Sequence, residues 1–162
     1  IETHWLSSAD PNVQVALLAD LADADQFRLS SDETVEKALK ERIEALNERY
    51  GTQGRGPFHL MMRPRLYNRA QGCWMAWERK RGKLEQLNRW LLEDDRSAFS
   101  VYTGDSPALR DVRFIVTVDA DTLLPPGTVA RLAGALAHPL NRATLDPSTG
   151  RVTSGCSIIQ PR

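Results

Sequence analysis

Cysteine and histidine are scarce in this sequence, and neither residue type is clustered. Cys73 and Cys156 are the only two cysteines, and their separation matches neither the ligand spacing of a zinc site nor the disulfide framework of a small secreted domain. The three histidines also lie far apart. These absences argue against a cysteine–histidine metal centre and favour a reducing compartment.

Excess charge of one sign and long apolar runs are also absent. Lysine and arginine number 21 and so do aspartate and glutamate, so no general attraction to nucleic acid or anionic membrane is expected. No apolar run approaches the roughly 18 residues of a membrane span, and no signal peptide is visible. What remains is an ordinary globular composition over 162 residues, about one domain's length. Because the sequence starts at an isoleucine and its last residues still resemble a strand, we expect a piece of a longer protein.

Apolar periodicity predicts strands alternating with helices. The predicted strands cover 13–20, 58–63, 99–104, 112–121 and 151–161, and the predicted helices cover 30–51, much of 74–94, and 125–140. Ser30 and Glu33 have the spacing of a capping box, and Gly51 suits a helix C-terminus. Residues 64–72 and 141–150 are predicted loops. This alternation predicts an α/β fold with a mostly parallel sheet flanked by helices.

The stretch "FIVTVDADTLLPPG", 114–127, carries most of the functional signal. Its apolar strand runs straight into Asp119 and Asp121. Ligands of open α/β sheets bind beyond the carboxyl ends of strands, and residues i and i+2 of an extended chain point the same way. Two such carboxylates repel each other unless a cation lies between them, and Mg²⁺ commonly binds one or two carboxylates plus substrate phosphates. The pair therefore indicates half of a metal site that a nucleotide diphosphate completes.

Three functions compete for this aspartate pair. The first is a nucleotide-sugar transferase. The second is a phosphatase of the haloacid dehalogenase type, although Leu123 stands where that family has Thr or Val. The third is a non-catalytic interaction module whose aspartates only cap a helix. Since the same "DAD" tripeptide recurs at 23–25 without other signs of a metal, the tripeptide alone does not decide between them.

Longer blocks of sequence carry a family resemblance. The blocks "PNVQVALLADLADA", "WMAWERKRGKLEQLNRWL" and "FIVTVDADTLLPPG", with "IIQPR" near the end, resemble in order the glycosyltransferase domain of cyclic β-1,2-glucan synthases. The resemblance covers nearly the whole chain. It implies that 1–162 is a partial glycosyltransferase domain with a GT-A-like (Rossmann-like) fold, incomplete at both ends. It also implies a multi-spanning protein of the bacterial inner membrane, with this domain on the cytoplasmic face.

The same resemblance implies substrates, a cofactor and flanking segments. The donor would be UDP-glucose, the product a growing β-1,2-glucan, and the cofactor Mg²⁺ or Mn²⁺. Transmembrane segments of the full-length protein would flank this domain, and no nucleic acid is expected as a partner. The general base on the acceptor hydroxyl would come from outside this chain, so no residue here is a candidate catalytic residue.

Site residues follow from the resemblance position by position. The D-x-D pair would hold the metal and the UDP diphosphate. Asp20, which ends the strand "VQVALLAD", resembles an aspartate that contacts the nucleotide, with a strand-end turn as the other interpretation and Asp23 as a weaker candidate. In "GKLEQLN", Lys83 would lie near the donor phosphates and Asn88 would shape the pocket. Trp74 and Trp77 either pack in the core or stack on a sugar or uracil ring.

Overall fold

The computed structural model describes residues 1–8, 10–52 and 55–160, and the chain forms two compact units. The first unit is formed by Gln14–Val112 together with Ile1, and the second by Glu2–Val13 together with Arg113–Arg162. In chain order the elements are α1 (Glu2–Ser8), β1 (Val15–Asp20), α2 (Asp32–Tyr50), β2 (Phe58–Arg63), β3 (Leu66–Asn68), β4 (Cys73–Met75), α3 (Arg79–Glu93), β5 (Val101–Thr103), α4 (Thr128–Ala137), β6 (Thr144–Leu145) and β7 (Val152–Ser154), with 3₁₀ turns at Ser106–Leu109 and Pro139–Asn141.

A three-stranded sheet forms the centre of the first unit. Its strand order is β1-β2-β5, with β1 and β2 parallel and β2 and β5 antiparallel. Every residue of β2 is buried, since this strand has neighbours on both sides. Met61 of β2 packs in a core cluster with Leu87, Trp90 and Leu109. The predicted α/β class is thus confirmed, but the predicted mostly parallel sheet is not, because one of the two strand pairings is antiparallel.

Helix α2 matches its predicted extent but not its predicted cap. Ser31 occupies the N-cap without a side-chain hydrogen bond, so the expected capping box of Ser30 and Glu33 does not form. Instead, the Asp32 carboxylate accepts a hydrogen bond of 2.8 Å from the backbone N–H of Leu29. Gly51 does end the helix, where a Cβ would lie only 2.4 Å from the carbonyl oxygen of Asn47.

The segment between β2 and α3 differs from its prediction. Residues 66–75 were expected to be a loop and the start of a helix, and they form the β3–β4 hairpin instead. Asn68 Oδ1 accepts hydrogen bonds from the N–H groups of Ala70 and Gln71, which closes the hairpin turn. Because β4 extends to Met75, α3 begins only at Arg79.

The second unit contains the largest correction to the sequence analysis. The segment 112–121, predicted to be a strand, has no strand partner among the described residues. Its side chains Phe114, Ile115 and Val118 are exposed by 39%, 45% and 38%. An apolar run forms a β-ladder only when a neighbouring strand supplies hydrogen bonds, and the described part of this unit supplies none here.

The remaining predictions for the second unit are partly met. The predicted helix at 125–140 is confirmed as the shorter α4, which follows Gly127 at a φ of 74°. The predicted strand at 151–161 shortens to β7 and pairs with β6, which arises inside the predicted loop at 141–150; residue 161 lies outside the described residues. Within the described ranges, no helix is long and apolar enough to cross a membrane.

Candidate functional site

Asp20 and Lys83, two of the candidate binding residues, meet at the carboxyl end of β1. The Lys83 ammonium lies 3.0 Å from Asp20 Oδ2 and donates a second hydrogen bond of 3.1 Å to the carbonyl oxygen of Leu18. Both side chains are largely buried, with 17% of Asp20 and 20% of Lys83 exposed. The structure thus brings together two residues that lie far apart in the sequence.

Arg63 is the third member of this cluster, and the sequence analysis missed it. It pairs with Asp20 in the register of the two parallel strands and forms a bidentate ion pair with that carboxylate, at 2.8 and 2.9 Å. Its other guanidinium hydrogens go to Gln86 Oε1 and to the carbonyl oxygens of Trp77 and Arg79, at 2.7 to 2.9 Å. All five donors of this buried side chain are therefore satisfied. The sequence signal that could have identified Arg63 is its place as the last residue of β2, since adjacent parallel strands end at the same edge of a sheet.

The cluster of Asp20, Arg63 and Lys83 carries a net positive charge. Arg63 and Lys83 are two positive groups, and Asp20 is the one carboxylate between them, which leaves one net positive charge. Arg63 has no donor left, whereas Lys83 uses two of its three N–H groups in the hydrogen bonds described above. The cluster therefore presents a partly exposed ammonium group that can receive an additional anionic oxygen.

Asn88 and Asp23 lie apart from this cluster. Asn88 is exposed on α3, and five residues along a helix correspond to a rotation of about 140°, so it faces away from Lys83. Asp23 instead forms an ion pair of 2.8 Å with Arg79, and both side chains are well exposed. Neither residue contributes to the Asp20 cluster in this structure.

The D-x-D pair lies in the second unit, at a turn that follows the apolar segment. The backbone N–H of Thr122 donates to the carbonyl oxygen of Asp119 at 3.0 Å, and both Asp119 and Asp121 are exposed. Helix α4 begins only at Thr128, so neither aspartate occupies its N-cap position.

Few side chains that could bind a metal lie at this turn. In the described part of the chain, no group of three or more histidine, cysteine, aspartate or glutamate side chains could hold a metal ion. Two exposed carboxylates still suit Mg²⁺, which keeps several waters and binds through one or two carboxylates plus substrate phosphates. The residues present therefore fit a metal that arrives together with a diphosphate.

Buried charge elsewhere in the first unit has a structural role. Arg65 and Asp32 form a bidentate ion pair at 2.5 and 3.0 Å, and both side chains are at least 97% buried, given exposures of 1% and 3%. Arg65 also donates to the carbonyl oxygens of Ala22 and Phe27. This pair, with the Leu29 N–H, keeps the pKa of Asp32 below its ordinary value. It ties the loop after β1 to the start of α2 and offers no group to a ligand.

His59 is a buried core residue and not a site residue. Its Nε2 lies 3.0 Å from Gln14 Oε1 and its Nδ1 lies 3.1 Å from the Tyr102 hydroxyl. Because the Gln14 oxygen can only accept, Nε2 carries the proton and Nδ1 accepts from Tyr102. Burial lowers the pKa of His59 to about 4, against a smaller opposing effect of Asp105, and burial raises the pKa of Tyr102 to about 12.

The depressed pKa of His59 predicts that the chain loses stability in mild acid. The unfolded chain takes up this proton near pH 6.5 and the folded chain only near pH 4, so stability falls as the pH drops through this window. At pH 4.5 the expected loss in unfolding free energy, relative to pH 7, is about 2 to 3 kcal/mol from this group. Urea denaturation at both pH values, on the wild type and on His59→Gln, measures it. An equal pH dependence of the two proteins would contradict the assignment.

A known protein matches this chain along its whole length. The chain is 41% identical over all of its 162 residues to cyclic beta-(1,2)-glucan synthase NdvB from Rhizobium meliloti (strain 1021). This match confirms the resemblance to the cyclic β-1,2-glucan synthases. The chain spans 6% of the length of that relative. No protein-family model matches the chain.

The match to the cyclic β-1,2-glucan synthases extends over both units. All five candidate residues therefore lie inside it: Asp20, Lys83, Asn88, Asp119 and Asp121. Of these, the structure joins Asp20 and Lys83 within the first unit and shows Asp119 and Asp121 as neighbours on an exposed turn of the second.

Proposed function

We propose that this chain is part of a glycosyltransferase domain that builds cyclic β-1,2-glucan from UDP-glucose. The observation that carries the proposal is the 41% identity, along the entire chain, to a protein whose name is cyclic beta-(1,2)-glucan synthase. The exposed pair of carboxylates and the net positive cluster at the end of β1 support it, because a sugar nucleotide carries a diphosphate that requires cations. In the whole protein we further propose a GT-A-like sheet on the cytoplasmic face of the inner membrane.

Asp119 and Asp121 are the proposed metal ligands. When bound, Mg²⁺ or Mn²⁺ supplies Lewis-acid stabilisation of the negative charge on the leaving UDP diphosphate. The proposed role of this chain is to supply these two carboxylates, which lie one residue apart on an exposed turn. The general base that deprotonates the acceptor hydroxyl is proposed to lie outside this chain.

Lys83 is the proposed phosphate-binding side chain, and Asp20 positions it. The Asp20 carboxylate accepts hydrogen bonds from Lys83 and from Arg63, whose five donors are all used. It therefore fixes the Lys83 ammonium group at the end of β1. In this proposal Lys83 contacts the nucleotide phosphates and Asp20 does not. The alternative is that the Asp20 carboxylate itself contacts the nucleotide. Asn88, on the other face of α3, is proposed only to shape the outer part of the pocket.

Lys83→Ala is expected to raise the KM for UDP-glucose of the full-length enzyme about tenfold, since a charge-assisted hydrogen bond to phosphate is lost. Incorporation of labelled glucose into glucan measures it, and Lys37→Ala, an exposed lysine of α2, is the matched control. Lys83→Arg should retain part of the affinity. A KM for Lys83→Ala within twofold of the control contradicts the phosphate role, and hydrolysis of a simple phosphate ester without glucan synthesis would instead favour a phosphatase.

A further inference from the structure

A groove in the first unit lies between the β3–β4 hairpin and the start of α3, outside the Asp20 cluster. Its volume is about 500 Å³, within the usual range of ligand pockets. Tyr67, Asn68 and Gln71 line it from the hairpin, and Trp77 and Arg79 line it from the other side. An aromatic residue and several planar polar side chains therefore border one open space.

Trp77 is held rigidly at this groove. Buried Arg63 donates to its carbonyl oxygen at 2.9 Å. A Cβ on Gly82 would lie 2.2 Å from the same oxygen and 2.7 Å from the indole Cε3, so the helix backbone packs against the ring with no room for a side chain. Trp77 is nevertheless 38% exposed. An aromatic surface fixed in advance loses little conformational freedom on binding.

The backbone beside Trp77 is strained. Glu78 and Arg79 both adopt left-handed conformations, with φ of 51° and 46°, although neither is glycine. Arg63 Nη2 donates to the carbonyl oxygen of Arg79 at 2.9 Å and so holds this conformation. Residues of this kind cluster at ligand-binding sites, where the surrounding structure maintains the strain.

Charges around the groove are mostly matched within the protein. Arg79 pairs with Asp23 at 2.8 Å and also donates to Gln71, and Glu78 pairs with Arg81 at 3.1 Å. Arg69 also lines the groove and forms no ion pair with a described residue, so one lining charge is unmatched. A single exposed guanidinium balances only part of the charge of a diphosphate, whereas it can donate hydrogen bonds to the hydroxyls of a neutral ligand. A hexose ring fits this chemistry, because its C–H face packs on an aromatic ring while its hydroxyls bond to amide and guanidinium groups.

We propose that this groove binds a segment of β-linked glucan, with one hexose ring stacked on Trp77. Tyr67 also borders the groove, but its ring packs against Trp74 with the ring centroids 5.5 Å apart, so it is not a second stacking surface. The choice of glucan among neutral sugars rests on the proposed function. In this arrangement the groove holds product or acceptor while the donor binds elsewhere.

The test uses the full-length enzyme and β-1,2-linked glucose oligosaccharides, with binding followed by saturation-transfer NMR and tryptophan fluorescence. We expect Trp77→Ala to weaken oligosaccharide binding about tenfold and Trp77→Phe to retain most of it. The KM for UDP-glucose should stay unchanged in both variants. Leu92→Ala, on an exposed position of α3, is the control.

Separate outcomes distinguish this inference from the proposed function. Equal oligosaccharide affinity in the wild type and in Trp77→Ala, or no binding at all, overturns the glucan groove while glucan synthesis stands. A response of Trp77 to UDP and not to oligosaccharide also overturns it, because the ring then serves the donor. Absence of glucan synthesis by the wild type overturns the proposed function itself, whereas oligosaccharide binding that depends on Trp77 still supports the groove.

Discussion

Asp121→Asn is expected to lower glucan synthesis by the full-length enzyme by about 10² to 10³-fold, comparable to the loss of one electrostatic stabiliser of a developing negative charge. The substitution keeps the size of the side chain and removes its charge, so the metal loses one of only two carboxylates on the 119–122 turn. Because Asp121 is exposed, its substitution should not change folding. Initial rates of glucose incorporation from UDP-glucose measure the effect, and Asp119→Asn should behave alike.

The chain offers a matched control for this experiment. Asp25 belongs to a second "DAD" tripeptide and is also exposed. Asp25→Asn should leave the rate within twofold of the wild type. If Asp121→Asn retained a rate similar to that of Asp25→Asn, the metal role of the pair would be wrong.

Asp20→Ala is expected to destabilise the chain by about 3 to 5 kcal/mol, because it removes the partner of a buried charge. The guanidinium of Arg63, whose side chain is 2% exposed, would keep its other hydrogen bonds but lose its only carboxylate. Urea denaturation at pH 7 gives the unfolding free energy. Asp23→Ala, which removes an aspartate from an exposed ion pair with Arg79, should cost at most about 1 kcal/mol.

The contrast between these two variants separates two roles for Asp20. A residue that serves only to contact a nucleotide has no reason to stabilise the free protein, so equal stabilities of Asp20→Ala and Asp23→Ala would contradict the structural cluster. A double variant, Asp20→Leu with Arg63→Met, should recover part of the lost stability, since it removes the fully buried guanidinium together with its partner and leaves only the partly exposed Lys83 ammonium without a carboxylate.

Elements with a strong local pattern were predicted well from the sequence. The apolar runs of β1 and β2 and the periodicity of α2 determine their structure within a few residues, so their bounds are nearly those found. The β3–β4 hairpin was missed because its strands are three residues each and its turn residues were taken as a loop. The strand at 112–121 was wrong because pairing depends on a neighbour, which a local pattern does not supply.

The candidate site was predictable where residues end adjacent parallel strands. Asp20 was identified from its place at the end of β1, yet Arg63 was not, although the two pair in register. The sequence could not show that the charge of Asp20 is already balanced inside the fold. It also suggested a stacking role for Trp74 and Trp77 alike, whereas Trp74 packs between Phe27 and Tyr67 and Trp77 lines an open groove.

The most direct test of the donor-binding proposal is a titration of the full-length enzyme with UDP, in the presence and absence of Mn²⁺, followed by calorimetry and by the electron paramagnetic resonance signal of free Mn²⁺. We predict that UDP binds tightly only with Mn²⁺, and that Asp119→Asn and Asp121→Asn each abolish this metal dependence. UDP affinity that is the same without the metal, or unchanged in both variants, would contradict it.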